Sequence, residues 1–266
     1  MTQTASTRAE FVSWDGGCLF LSKATAVTGL HSHYAIQIAF GSEFGIRFRP
    51  NDSDPWTAYD GVIIPSRQPH AMDATTAQAN AVLFVEPETP EGRALFELYA
   101  PAGITPLRRA DSEKAVTLFN VWREHGSGSA LVDAARRLVV DLTHGVEPSI
   151  ASDARILRAT AYIQRHLTER LTLERIAAAV FLSPGRFRHL FVEQTGMALR
   201  PYLLWRRFLR VWDLLMRGES LSAAAHGAGF ADAAHLTRTS RRMFGFPPSA
   251  MLMMRHLSPD DPHHAG

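Results

Sequence analysis

The chain has 266 residues, of which 46% are apolar and 20% charged, and its formal net charge is +2. This composition is typical of a globular protein with one large or two ordinary domains. The longest apolar run, 176–182, is far too short to cross a membrane, and the first residues show no signal-peptide pattern. The single Cys18 excludes an internal disulfide and a thiolate metal cluster. We therefore expect a cytoplasmic protein that does not associate with membranes.

The charge is distributed unevenly along the chain. Residues 152–257 contain 16 Arg, no Lys and seven Asp or Glu, a net charge of +9, whereas residues 1–151 carry −5. A basic segment joined to an acidic one is typical of a protein in which one domain binds nucleic acid and the other does not. A basic segment can also be merely a solvated surface, and the motifs within it decide between the two interpretations.

The first third of the chain has a β pattern. Residues 1–10 are predicted to be disordered, and turn-forming clusters at 51–55 and 66–69 separate short β-prone runs between Phe11 and about Val85. The predicted strands are Cys18–Leu21, Tyr34–Phe40, Gly45–Arg49, Trp56–Tyr59, Gly61–Pro65 and Ala81–Val85. Short, regularly spaced strands of this kind predict a small antiparallel barrel or jelly roll.

After residue 90 the apolar spacing becomes helical. A short helix is predicted at Glu91–Tyr99, with Thr89 as its N-cap. Two longer amphipathic helices are predicted at about 111–125 and 129–144. Their apolar stripes fit two roles equally, a homodimer face formed by residues 111–144 or packing of both helices on the barrel.

The last part of the chain contains the same short design twice. Residues 147–152 form the predicted linker, and a helix at Asp153–Leu167 follows it. The first copy then runs from 172 to 196 and the second from 220 to 245, each a short helix, a tight turn and a second helix. The four helices have N-cap residue types at Thr172, Ser183, Ser220 and Asp232.

This design is a helix-turn-helix, whose second helix enters the major groove of DNA. A single copy is a weak signal, because helical proteins produce it by chance. Here both copies lie in the basic segment, joined by a predicted helix of 17 residues at Pro201–Arg217. A helix of that length spans about 25 Å, so it could hold two recognition helices roughly one DNA turn apart.

Six short motifs extend this interpretation. They are Leu173-x-x-Ile-Ala, Leu182-Ser-Pro, Leu190-Phe191, Thr195-Gly196, Gly229-Phe230-x-Asp232 and Phe244-Gly245-x-Pro-Pro-Ser249. With them, residues 152–257 resemble the DNA-binding domain of the AraC/XylS family of bacterial transcription regulators. The resemblance covers about two-fifths of the chain. It implies a sequence-specific regulator of double-stranded DNA, and favours an activator that recruits RNA polymerase.

A looser resemblance concerns the N-terminal region. The order His31-Ser-His33, Gln37 and Pro65-x-x-x-Pro69-His70 resembles the cupin-type domain that precedes many AraC-family DNA-binding domains. It implies an α+β chain whose first domain, 11–146, binds an effector and dimerises. That domain consists of a barrel at about 11–88 and helices at about 91–144. The linker 147–152 and an all-α double helix-turn-helix domain at 153–257 complete the chain.

The first predicted recognition helix begins at Ser183. By motif position, the family's base-reading places fall on Gly185, Arg188 and His189. Arg188 is the strongest candidate, because Arg bonds guanine O6 and N7 bidentately. Gly185 departs from the larger side chains common there, and Arg186 is expected to contact phosphate.

The corresponding places in the second recognition helix are Ala233, Ala234, His235 and Arg238. The alanines offer only apolar contact, so we expect the first module to supply most of the specificity. Ser240 stands where the family carries a large apolar residue, which predicts a less firmly packed helix. Candidate phosphate contacts are Arg206, Arg210, Arg241 and Arg242.

Three histidines form a candidate metal site in the N-terminal domain. The spacing of His31 and His33 puts both imidazoles on one face of a strand, and His70 could complete a site for a divalent metal ion. Gln37 stands where cupin enzymes usually carry a Glu. Alternatively, these residues orient an effector or make structural hydrogen bonds. Candidate ligand-binding residues are His31, His33, Gln37, Trp56, Tyr59 and His70, with Phe40 and Phe48 as further apolar walls or core.

The sequence contains no P-loop and no G-x-S-x-G motif, and Cys18 is expected in the core. We interpret the chain as a transcription regulator controlled by a small-molecule effector, and not as an enzyme. The rival is a metal-dependent cupin enzyme with a basic helical appendage, supported only by the three histidines. A third interpretation, a nonspecific DNA-coating protein, is disfavoured by the paired recognition helices.

Overall fold

The computed structural model describes residues 9–23, 27–42, 45–125, 128–149 and 152–250. Within them the strands are β1 (Ala9–Trp14), β2 (Gly17–Ser22), β3 (Ile36–Gly41), β4 (Ile46–Arg49), β5 (Thr57–Tyr59), β6 (Gly61–Ile64), β7 (Ala71–Asp73), β8 (Asn80–Val85) and β9 (Thr105–Pro106). They form two antiparallel sheets, of order β1-β2-β8-β3-β6-β9 and β5-β4-β7. The six predicted strands are all present. Three of these strands were not predicted. β1 includes residues 9 and 10, which pair with β2, so the predicted disorder of residues 1–10 is wrong there; residues 1–8 lie outside the described residues. β7 and β9 have only three and two residues, too few for an alternating pattern to reveal them.

The helices follow the predicted order. They are α1 (Pro90–Tyr99), α2 (Arg109–His125), α3 (Ser129–Leu142), α4 (Ala154–Arg165), α5 (Leu173–Ala179), α6 (Pro184–Thr195), α7 (Leu199–Met216), α8 (Leu221–Gly227) and α9 (Ala233–Phe244). Each predicted N-cap side chain accepts a hydrogen bond from a backbone N–H of its first turn. No helix in the described part of the chain has the length and apolarity needed to cross a bilayer.

Strand β8 divides the core between the two faces of the larger sheet. All six of its residues are buried. Leu83 and Val85 face one side, where they pack with Leu118 and Trp122 of α2. The apolar stripes of α2 and α3 are therefore used for packing on the sheet, which was one of the two predicted roles. A homodimer contact through residues 111–144 stays a prediction.

The other face of the sheet packs on the C-terminal domain. Phe84 of β8 lies in one apolar cluster with Trp205, Trp212 and Phe244. The Phe20 and Trp212 rings are 4.5 Å apart between centroids, and those of Trp212 and Phe244 are 4.4 Å apart. The two predicted domains thus share a continuous core, in which α7, the helix between the two helix-turn-helix units, contacts the sheet directly.

Candidate DNA-binding interface and ligand site

Helix α6 presents the predicted reading face to solvent. The hydroxyl of Ser183 accepts from the backbone N–H of Arg186 at 3.3 Å and fixes the start of the helix. Phe187, on the opposite face, is buried in the core. Gly185, Arg186, Arg188 and His189 are all exposed. These side chains therefore occupy a surface on which DNA could lie.

Helix α9 presents fewer long side chains. Asp232 accepts from the backbone N–H of His235 at 2.6 Å, and the His235 ring is half-buried against Phe230. Ala233 is also half-buried, whereas Ala234 is exposed. The cationic side chains exposed on this helix are Arg238, Arg241 and Arg242.

Ser240 is fully buried in α9, and its hydroxyl donates to the carbonyl of Phe246 at 2.7 Å. The sequence predicts a less firmly packed helix at this position, because the family's large apolar side chain is missing. In the structure a hydrogen bond fixes the helix end there, and Gly245 closes the helix in the left-handed region at φ 72°.

Arg206 does not face DNA, so the predicted phosphate contact at this residue is wrong. Its side chain is buried and pairs with the carboxylate of Glu86, in the segment that follows β8. Trp205 donates its indole N–H to the same carboxylate oxygen at 3.2 Å. Helical periodicity alone places Arg206 on the polar side of α7, but at this turn of the helix Glu86 of the N-terminal domain packs on that side. Arg210 is exposed, as expected, and pairs with Asp213 at 2.9 Å.

A second buried carboxylate lies beside this ion pair. Tyr34 donates its hydroxyl to Glu88 Oε2 at 2.5 Å. Burial and the neighbouring Glu86 carboxylate raise the pKa of Glu88 to about 7. Glu86 and Glu88 were not predicted as site residues, although two acidic residues close behind the apolar run Ala81–Val85 could have indicated them.

The raised pKa of Glu88 predicts a pH-dependent stability. Between pH 4.5 and about 7 the folded chain keeps a proton that the unfolded chain has released, so this stabilising contribution is lost as the pH rises through about 7. Urea unfolding at pH 5 and pH 7.5 should show a larger loss of stability in the wild type than in Glu88→Gln. The buried histidines make stability rise with pH, but they do so in both proteins. The difference between the two proteins therefore reports the contribution of Glu88. Equal changes in the two proteins would contradict the prediction.

The C-terminal end of each recognition helix contacts the N-terminal domain. Arg93 of α1 donates to the backbone carbonyl and the side-chain oxygen of Gln194 in α6, at 3.1 and 2.7 Å. The backbone N–H of Gly29 donates to the carbonyl of Gly245, which caps α9, at 3.1 Å. A Cβ on Gly245 would come within 2.3 Å of the Gly29 carbonyl oxygen, so this approach requires glycine. No sequence motif had indicated Arg93, Gln194 or Gly29.

A cavity of about 270 Å³ lies between the two domains. Phe20, Met72 and Phe84 line its N-terminal side, and Trp212 and Phe244 line its C-terminal side. Its further lining residues are Ser22, Val27, Thr28, His31, Gln37, Ala74, Asn80, Val82, Phe246, Pro247 and Ala250. An occupant would therefore contact both domains.

Only part of the predicted ligand site borders this cavity. His31 and Gln37 line it, but Trp56 lies under the Arg49 guanidinium, 4.7 Å from the ring centroid, and Tyr59 packs on Phe48. Trp56 and Tyr59 therefore do not line this cavity, and their role in ligand binding stays a prediction. One wall of the cavity comes from the C-terminal domain, which the N-terminal sequence alone could not show. Phe40 packs on the other face of the sheet, toward α2.

The three predicted histidines come together in the fold. One ring nitrogen from each of His31, His33 and His70 lies within 4.8 Å of the others, and all three residues are buried. In each ring Nδ1 lies 2.8–2.9 Å from a backbone carbonyl oxygen, which can only accept, so Nδ1 carries the proton. Burial lowers the pKa of all three, that of His33 to about 3, so the rings are neutral and Nε2 is bare.

The side chain of Gln37 lies between two of these bare nitrogens. Its terminal amide is 2.7 Å from Nε2 of His33 and 3.2 Å from Nε2 of His70. Because amide oxygen and nitrogen are assigned from their partners, the NH₂ group must be the one that faces the rings and donates to both. Nε2 of His33 and Nε2 of His70 thus direct their lone pairs toward one side-chain amide.

Comparisons with known proteins agree on the C-terminal part. A family model described as a helix-turn-helix domain matches residues 176–254. Regulatory protein PocR of Salmonella typhimurium is 28% identical over 99 residues, 37% of this chain and 33% of PocR. The transcriptional activator RhaS of Escherichia fergusonii is 30% identical over 108 residues, 40% of this chain and 39% of RhaS. The matches thus span two-fifths or less of these relatives.

The fold as a whole has a solved counterpart. The crystal structure of ToxT from Vibrio cholerae O395 aligns over 90% of this chain and 96% of ToxT, with a TM-score of 0.58 and 12% identity. At this identity the likeness concerns the fold, an N-terminal sheet domain followed by a helical helix-turn-helix domain. The predicted fold class is therefore confirmed for both parts of the chain.

Proposed function

We propose that the chain is a ligand-controlled, sequence-specific transcription regulator whose C-terminal helix-turn-helix domain is of the AraC/XylS type. The observation that carries the proposal is the pair of capped recognition helices, each with exposed cationic side chains, in a segment of net charge +9. It would act on double-stranded DNA in the cytoplasm, as an activator that contacts RNA polymerase. RhaS, named as an activator, supports that direction of regulation.

We assign most of the sequence reading to α6. Arg188 and His189 are both exposed there, and either can bond base edges in the major groove. In α9 the equivalent surface is shorter, because Ala233 and His235 are half-buried and Ala234 ends at a methyl group. We assign phosphate contacts, which position the module without reading sequence, to Arg241 and Arg242.

Substitution of Arg188 tests this assignment. Arg188→Ala should weaken binding to a selected site by about 10- to 100-fold, because one bidentate contact contributes about 1–3 kcal/mol of discrimination. Binding to unrelated DNA should fall far less. Arg242→Ala is the matched control: it should weaken both DNAs alike and reduce the salt slope by about 1. A larger loss of specificity in Arg238→Ala than in Arg188→Ala would contradict the assignment.

The interdomain cavity is the proposed effector site. None of the described residues that line it is Lys, Arg, Asp or Glu, and most of its walls are aromatic or aliphatic. We therefore propose a neutral, largely apolar effector with a small polar group. One ToxT structure holds an unsaturated fatty acid, but a carboxylate in this cavity would find no cation among those lining residues.

An effector in this cavity could control DNA binding only if it favours one arrangement of the domains. The bonds from Arg93 to Gln194 and from Gly29 to Gly245 attach both recognition helices to the N-terminal domain. A ligand that pushes Phe244 away from Phe84 would strain these bonds and change the placement of the helices. This coupling is part of the proposal.

The cupin-enzyme alternative gains little support. Among the described residues, the histidine cluster holds no carboxylate for acid–base chemistry. The relatives that match the C-terminal domain are named as regulators.

A further inference from the structure

We propose that His31, His33 and His70 bind a divalent transition metal ion at the wall of the interdomain cavity. The proposal does not depend on the proposed regulatory function, because it concerns the donor atoms alone. Three neutral imidazoles form a borderline donor set that suits Zn²⁺, Co²⁺, Ni²⁺ or Cu²⁺ and suits Mg²⁺ or Ca²⁺ poorly.

The backbone holds the three rings in place before any metal arrives. His31 and His70 face each other in a β-bridge, with reciprocal N–H to carbonyl bonds of 3.0 and 2.9 Å. The Nδ1–H groups of the three rings donate to the carbonyls of Gly29, Ala35 and Gln68. Metal-binding histidines typically use their second nitrogen in this way, because the bond fixes the ring and leaves the other nitrogen free for the ion.

Structural hydrogen bonding accounts for only part of the arrangement. The amide of Gln37 has two N–H groups, and these serve His33 and His70. The third ring, His31, borders the cavity. Two of the three rings thus direct lone pairs at one side-chain amide, and a ring nitrogen of the third, His31, lies within 4.8 Å of theirs.

The distances suit a small ion. With Zn–N bonds of about 2.1 Å, the nitrogens of a tetrahedral site lie about 3.4 Å apart. The ring nitrogens here lie within 4.8 Å of one another, so the rings would close in by about 1 Å as Gln37 turns aside. With three protein ligands, a tetrahedral ion would have a fourth coordination position available. Because His31 and Gln37 both line the cavity, this position opens toward it.

The site is also connected to the second recognition helix. The His31 ring donates to the carbonyl of Gly29, whose own N–H donates to Gly245 at the end of α9. An ion that fixes His31 would therefore hold this loop against the C-terminal domain.

Titration of the untagged full-length protein, stripped with chelator, with Co²⁺ alone tests the proposal. One equivalent should bind, with the visible absorption of a low-symmetry site, and Zn²⁺ should displace it and raise the unfolding temperature. Gln37→Glu should bind at least about 10-fold more tightly, because a carboxylate replaces a poor ligand. The affinity of His70→Gln for Co²⁺ should be more than about 100-fold lower, a larger loss than is typical of a residue that only bonds to a ligand.

His226→Gln is the matched control, because His226 is an exposed histidine on α8, outside the cluster. It should bind as the wild type does. If the folded wild type and Gln37→Glu take up no stoichiometric Co²⁺, the proposal is overturned. It is equally overturned if His70→Gln, folded by circular dichroism, binds Co²⁺ as tightly as His226→Gln. Because Gln37→Glu is expected to bind Co²⁺ more tightly, the proposal is still tested if His70→Gln does not fold.

Discussion

Glu86→Gln is expected to destabilise the folded chain by about 3–5 kcal/mol, the usual cost of removing one partner from a buried ion pair. The side chains of Glu86 and Arg206 are 4% and 6% exposed, and the variant would leave the guanidinium of Arg206 charged and without its carboxylate. Trp205 would keep only a neutral amide oxygen as its acceptor in place of a carboxylate. Urea unfolding of the full-length chain measures the change.

A double variant separates the loss of the ion pair from the cost of leaving the Arg206 charge buried without a partner. Glu86→Gln with Arg206→Met should be more stable than Glu86→Gln alone, because it leaves no uncompensated charge in the interface. Arg210→Met is the matched control on the same helix. Its partner Asp213 lies at 2.9 Å but Arg210 is exposed, so its loss should cost less than about 1 kcal/mol. A Glu86→Gln variant no less stable than Arg210→Met would show that the pair does not hold the domains together.

Trp212→Ala is expected to destabilise the folded chain by about 3–5 kcal/mol, the range typical of truncating a fully buried Trp. The indole is 1% exposed and lies within 6.0 Å of Phe20, Phe84 and Phe244, measured between ring centroids. It therefore belongs to the core of the C-terminal domain and to the interdomain core at once. Its removal should also enlarge the cavity and change the binding of a neutral apolar fluorophore such as N-phenyl-1-naphthylamine.

Trp56→Ala provides the comparison for this prediction. Trp56 is half-buried at the surface, against Arg49, and it does not line the cavity. Its loss should cost much less stability and leave fluorophore binding unchanged. If both variants lose the same stability, the shared core across the domains is not a major source of it.

The C-terminal domain was predictable because its signals are local. Caps such as Ser183 and Asp232 and the left-handed Gly196 and Gly245 are satisfied within a few residues of chain, so sequence spacing determines them. The exposed side chains of α6 follow from helical periodicity in the same way. Helix α9, which the sequence predicts to be less firmly packed, shows the limit of such local signals. The hydrogen bond from Ser240 to Phe246 depends on how the chain turns after the helix, and sequence spacing does not reveal that turn.

The interface between the domains was not predictable from local patterns. Arg206 has the spacing of a polar helix face, and only its partner 120 residues earlier explains its burial. Trp56 and Tyr59 looked like pocket walls because they are aromatic residues in a β region. The walls of the interdomain cavity include Trp212 and Phe244, which belong to a distant segment. The histidine cluster was predictable because the H-x-H spacing is local. The hydrogen bonds from its rings to backbone carbonyls, which orient the rings, could not be predicted from the sequence.

Selection of DNA fragments from the source genome by the purified full-length protein, in a salt titration, tests the central claim most directly. We expect a recovered motif with two half-elements about one helical turn apart, read more strictly in the half that contacts α6. We also expect affinity to fall steeply with salt while the preference for the motif persists. Strongly salt-dependent binding without any recovered motif, with and without added apolar ligands, would contradict the account.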